Sequence, residues 1–223
     1  MTESQPIHAP PPWQLRGQGY IILIRCSRDF GEHCAADVPG LAGRALGGIG
    51  TVMVVDYSES AVGPYRELLL VPGRFEVEGR KRFAVTDILV SSQPSVDNGR
   101  RNWGLPKALA SFQHHTVESG NEHVRVSRDD RPFAELRFAR RSLSWPVTTA
   151  LAPGGWHTLV QPWEGRRYTT RISARGRVRP ARLTKCRIDD AVFPDFSSQR
   201  VLSCLQVTSF SMVFPPAIVE DAA

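Results

Sequence analysis

The 223-residue chain is poor in lysine: of its 28 basic residues only Lys81, Lys107 and Lys185 are lysines, and the rest are arginines. It has no run of about 18 apolar residues, which excludes a membrane-spanning helix. The four cysteines, Cys26, Cys34, Cys186 and Cys204, form no C-x-x-C pair and no metal-ligand spacing, so no metal is expected. The opening Met1–Pro6 has neither a basic n-region nor an apolar h-region, so a cytoplasmic protein with reduced thiols is expected. Helical periodicity is scarce and no internal repeat is visible, which points to a strand-built domain.

The net charge is +6, with local basic density from Arg166 to Arg182. Acidic residues interrupt most other basic stretches, so the arginines read as solvated strand faces, with neither nucleic acid nor membrane as partner. A positive field suits a small anionic substrate. Residues 1–12, ending in Pro10-Pro11-Pro12, read as a flexible arm. Residues 13–216 read as one domain and 217–223 as a short tail. Period-2 or apolar strand signals cover Tyr20–Ile24, Thr51–Tyr57, Tyr65–Val71, Phe83–Val90, Val124–Val126, Pro132–Phe138 and Val201–Phe214. Two short helices are expected. One lies within Val38–Leu46; the other runs Val96–Trp103, capped by Ser95 and stopped at Gly104. The expected fold is mainly β, an antiparallel barrel or sandwich with few helices.

Scarcity draws attention to Lys107. Arginine cannot serve as a neutral nucleophile, whereas lysine can if its surroundings lower its pKa. Strand parity puts Tyr65, Glu67, Leu69 and Val71 on one face, so Glu67 sits on an apolar side and needs a partner there. Other polar candidates rank lower. His114 and His115 are adjacent and face opposite ways as a surface pair, and Asp56, Glu59 and Asp87 have no evident partner. Gly47-Gly48-Ile49-Gly50 leads into a strand, so it is no phosphate cradle.

Gly99-Arg100 followed by Gly104-Leu105-Pro106-Lys107 resembles the G-R-x-x-x-G-x-P-K motif of acetoacetate decarboxylases, and Tyr65-Arg66-Glu67 resembles that family's Y-x-E strand. The order and separation of the two motifs match as well, over roughly Trp13 to Phe112. The resemblance implies the family's β-barrel, no cofactor, a small keto-acid substrate and a homo-oligomer. It implies Lys107 as the Schiff-base lysine and Glu67 as the active-site acid. Arg100, Arg16, Trp103 and Tyr65 become substrate-binding candidates. The family's second lysine is replaced by Ala108, so desolvation has to neutralise Lys107 alone or with Arg100 or Arg101 nearby.

The chemistry follows from the residue types. Loss of carbon dioxide from a β-keto acid leaves an electron pair, which a protonated lysine imine can accept. The attacking amine must be neutral, and moving a lysine pKa from about 10.4 to about 7 corresponds to about 4–5 kcal/mol. Aldol or dehydration chemistry through the same imine, and a non-catalytic barrel that binds a small molecule, are the alternatives these residues leave open.

Overall fold

The computed structural model describes residues 7–117, 121–140, 143–151 and 155–221. The strands of its first half are β1 (Trp13–Cys26), β2 (Ala45–Glu59), β3 (Tyr65–Val71), β4 (Arg74–Val77), β5 (Arg80–Phe83), β6 (Asp87–Val90), β7 (Lys107–Leu109) and β8 (Ser111–Thr116). They continue as β9 (Glu122–Arg128), β10 (Arg131–Arg140), β11 (Trp145–Thr148), β12 (Thr158–Trp163), β13 (Arg166–Arg171), β14 (Ser173–Ile188), β15 (Arg200–Phe214) and β16 (Ile218–Asp221). Two α-helices interrupt them, α1 (Arg28–Ala35) and α2 (Gln93–Trp103).

The strands form one continuous, forked sheet in the order β16-β13-β12-β5-β4-β2-β1-β15-β14-β10-β9-β8. The expected closed barrel is not formed. Strand β2 pairs with β4 at Ala45–Gly47 and with β3 from Thr51 to Tyr57. Because two different strands share one edge of β2, the sheet branches there instead of returning on itself. The end strands β8 and β16 do not pair with each other.

Alternation along the central strands feeds two cores. Tyr20, Ile22, Ile24, Val52, Val54, Leu68 and Leu70 bury on one face. There Tyr20 stacks on Phe138 with ring centroids 3.8 Å apart. Trp13, Leu15, Val55, Tyr57, Tyr65, Ile88 and Val90 bury on the other, where α2 adds Val96 and Trp103. Successive residues thus serve opposite cores, as a sheet covered on both faces requires.

Several boundaries differ from expectation. The stretch 38–46 is turns and the start of β2, with Gly40 at φ 84°, and the early helix lies upstream. Ser27 caps that helix by accepting from the Phe30 N–H at 3.1 Å. Only eight residues long, it carries too little periodicity to stand out. Helix α2 starts one turn before the expected cap, because Ser92 accepts the Ser95 N–H and Pro94 is tolerated in a first turn. Phe83–Val90 is two strands separated at residues 84–86. Ile218–Asp221, expected in a tail, pairs with β13.

Residues 1–6 of the expected arm lie outside the described residues, and 7–12 are held against α2. The Asn98 side chain accepts from the Ala9 N–H at 2.9 Å and donates to the Ile7 carbonyl at 2.7 Å. Asn98 is fully buried. Asn98→Ala should therefore strand buried backbone groups and destabilise the protein by about 1–3 kcal/mol. Limited proteolysis should then cut near residues 7–12 before the core, and a thermal melt measures the loss.

Candidate active site

Lys107 and Glu67 meet at the base of a cavity of about 450 Å³. Their side chains approach to 3.0 Å, and each residue is only 3 % exposed. Strand β3 supplies Glu67 beside Val90 of β6, and the parallel β6–β7 pair sets Lys107 beside Ile88. Two short strands thus carry the charges to one spot. The remaining hydrogen-bond capacity is used locally. Lys107 Nζ also donates to Ser95 Oγ at 3.1 Å, and Tyr57 Oη donates to Glu67 Oε1 at 3.0 Å. The amine lies 5.1 Å from the centre of the Tyr65 ring.

The glycine motif has a steric explanation. A Cβ on Gly99 would stand 2.5 Å from Lys107 Cδ and 2.9 Å from Cε, so the lysine stem crosses α2 only over a bare Cα. Gly104 ends α2 at φ 62°, where its N–H donates to the Arg100 carbonyl at 2.9 Å. A Cβ there would also run into Tyr168 and Trp163. Arg100 Nε donates to the Lys107 carbonyl at 2.9 Å. These residues hold the backbone of Lys107 and clear a path for its side chain.

The substrate-binding candidates separate in space. Tyr65 and Trp103 line the cavity, Trp103 packed edge-on against Trp13 and Phe214. Arg100 is exposed, lies over the Trp163 ring and is absent from the cavity wall, so it supports Lys107 from behind. Arg16 is also outside: its side chain is 63 % exposed and pairs with Glu59 at 3.6 Å. Alternation explains this, since Leu15 points into the cavity and its neighbour points away. Ala108 packs against the opposite core, so a lysine at that position would leave the strand on the side away from the cavity.

Sequence reasoning missed Tyr57, Ser95 as a lysine partner, and His157. Parity could have found Tyr57, which lies directly across from Tyr65. Nothing local marks His157, which lines the cavity just before β12. Arg171 Nε donates to its Nε2 at 2.7 Å, which leaves the ring proton of a neutral imidazole on Nδ1. That buried nitrogen has no partner among the described residues. The expected surface pair His114–His115 is not one: His114 is largely buried and contacts Glu122 at 2.7 Å. Asp56 and Glu59 do have partners, Arg66 and Arg16. Asp87 is pushed up to about 6 by burial.

Electrostatics correct one expectation. Burial, the largest influence on Lys107, pushes its pKa down, but the Glu67 carboxylate and then Tyr65 push it up and prevail, so the resting value is raised, not depressed. Burial likewise raises Tyr65 to about 12. The resting lysine is therefore an ammonium, in contact with Glu67.

A buried lysine paired with a carboxylate, at the base of a mostly apolar cavity, defines a class of site that can condense an amine with a carbonyl compound. The acetoacetate decarboxylase family profile matches residues 39–193, and the chain belongs to that family. No curated protein sequence matches it directly. Among solved structures, the acetoacetate decarboxylase of Legionella pneumophila subsp. pneumophila is similar at TM-score 0.68 and 13 % identity, covering 100 % of this chain and 93 % of that one. An acetoacetate decarboxylase-like enzyme from Sphingomonas wittichii RW1 gives TM-score 0.68 and 12 % identity, covering 100 % and 98 %. The enduracididine biosynthesis enzyme MppR, solved in complex with pyruvate, gives 0.65 and 16 %, covering 96 % and 93 %.

Two outcomes follow. Gly99→Ala should drive a methyl into the Lys107 stem and slow amine reactivity by about 100-fold, the scale of a 1 Å misplacement. The clash should also cost stability, about 1–3 kcal/mol of overpacking that the about 0.5–1 kcal/mol gained by a helix-interior Gly→Ala offsets only in part, which a thermal melt measures. Glu67→Gln should reverse the sign of the Lys107 shift, since burial then acts without the carboxylate. With the wild-type pKa above its unfolded value of about 10.4, the lysine's contribution to stability is full below that pH and fades as pH rises through the folded value. In Glu67→Gln, folded pKa lies below unfolded, so the protein should lose stability as pH falls through that interval. The pH profile of amine acylation at Lys107, read by mass spectrometry, measures both.

Proposed function

We propose that this protein is a Schiff-base enzyme that decarboxylates a β-keto acid, with Lys107 as nucleophile and Glu67 as its proton partner. The 3.0 Å contact between them, buried beside a mostly apolar cavity, carries the reading. Transfer of one proton from Nζ to Glu67 Oε2 along that hydrogen bond gives a neutral amine and a neutral acid without drawing on solvent. The amine adds to the keto carbon. Glu67 returns its proton to the carbinolamine hydroxyl, which leaves as water, and the C=N bond of a protonated imine forms. The C–C bond to the carboxylate then breaks, its electron pair moves into the imine as an enamine, and carbon dioxide departs. Protonation at carbon and hydrolysis release the ketone and restore the ammonium. The net reaction consumes one proton from water.

The cavity walls favour decarboxylation among imine reactions. Among the described residues, the only cationic side chain on the wall besides Lys107 is the exposed Arg175. Chemistry that retains a carboxylate beside the imine benefits from a cation to hold it. Decarboxylation discharges that carboxylate, which an apolar surrounding promotes. The likeness to MppR, which has also been solved with a condensation product of pyruvate and imidazole 4-carboxaldehyde, supports aldol or dehydration chemistry as the second reading.

Borohydride added with a β-keto acid should trap a covalent adduct on Lys107, and Lys107→Met combined with Glu67→Gln, which removes both buried charges, should remain folded, form no adduct and lose all turnover. Carbon dioxide release identifies a decarboxylase, whereas adduct without it selects the second reading. A panel of keto acids and aldehydes that never yields an adduct defeats both.

A further inference from the structure

The cavity is too large for acetoacetate. Its volume of about 450 Å³ lies within the roughly 300–1,000 Å³ of pockets that bury drug-sized ligands, whereas acetoacetate has only about seven non-hydrogen atoms.

Strand register locates the spare room. The reactive pair lies on the row formed by Glu67, Val55 and Gly19 on three adjacent strands. The next row on the same face is Leu69, Met53 and Ile21, and the one after it is Val71, Thr51 and Leu23. All six line the cavity, and Thr51 is the only polar side chain among them. From Glu67 to Val71 the strand advances about 13 Å at roughly 3.3 Å per residue. Five of these residues, Ile21, Leu23, Thr51, Met53 and Leu69, are only half-buried. Their sequence neighbours Ile22, Val52, Leu68 and Leu70 are fully buried in the opposite core. The half-exposed surface is therefore confined to the face that continues from the lysine. Water there would find almost nothing to bond, so an apolar occupant joined to the reacting carbonyl fits it.

We propose that the substrate is a β-keto acid with an extended apolar acyl body, a medium-length alkyl chain or a ring system, which lies along these two rows while its keto carbon meets Lys107. The proposal rests on the imine reading above.

A homologous series from 3-oxobutanoate to 3-oxododecanoate tests it in the full-length protein, read as carbon dioxide release and as borohydride adduct. The specificity constant should rise about fourfold per added methylene until the chain reaches the Val71 row, at about 0.8 kcal/mol per buried CH₂. Leu69→Trp, which fills the first row, should cut the ratio of long-chain to short-chain specificity constants at least tenfold. Turnover that is highest with 3-oxobutanoate and falls with length overturns the proposal. If no member of the series forms an adduct, the imine reading fails separately. Dodecanoate, which has no keto group, then reports on the cavity by isothermal titration calorimetry. Saturable binding that Leu69→Trp weakens keeps the apolar site, and its absence removes it. If a second copy of the chain covers these rows instead, Leu23→Asp should dissociate an oligomer in sedimentation while wild type shows no chain-length preference, which also overturns the proposal.

Discussion

A lysine ammonium and a glutamate carboxylate buried at 3.0 Å from each other constrain everything around them. Removing two charges from water costs several kcal/mol per ion, which is repaid only when geometry and further hydrogen bonds are good. The surroundings meet that demand. Tyr57 bonds the second carboxylate oxygen, and Ser95 accepts from the amine. The start of α2 must therefore lie against the β3–β6–β7 layer. The lysine stem must also cross the helix, which leaves position 99 no room for a side chain. Motif residues that look chemical in sequence thus divide by task. The lysine and the glutamate hold the reactive groups, and the glycines and Arg100 make their meeting possible.

The same pair explains how a resting ammonium is compatible with amine chemistry. In water, a lysine would have to lose its proton to solvent before attacking a carbonyl. Here the proton has an acceptor already in contact, and burial, the largest single influence on the amine, favours the neutral form. Burial and the Glu67 carboxylate thus act on the amine in opposite directions. Position 108 faces the other core, and Ala108 fills it with an apolar side chain.

Similar folds at 12–16 % identity include a decarboxylase and MppR. Such divergence leaves the architecture of the sheet. In this chain the wall beyond the lysine is a run of aliphatic and thioether side chains with little charge. Glu67 and this apolar wall lie on one face of the same strands, two residues apart in β3.

The chain alone determined the local features. Alternation assigned Glu67 to the face of Tyr65, Leu69 and Val71, the Pro-Lys motif singled out Lys107, and the glycine at 104 ended a helix. These depend on periods of two residues and on one backbone angle, which neighbouring residues fix. Tertiary structure decided the rest, because it depends on which distant strands share an edge. The fork at β2 left the sheet open. The opposite pointing of Leu15 and Arg16 removed an arginine from the cavity. A histidine at 157 arrived at the wall through a hairpin paired to β5. The sign of the Lys107 shift was likewise out of reach, since it turns on a 3.0 Å separation between residues forty positions apart, and burial without that partner would have the opposite effect.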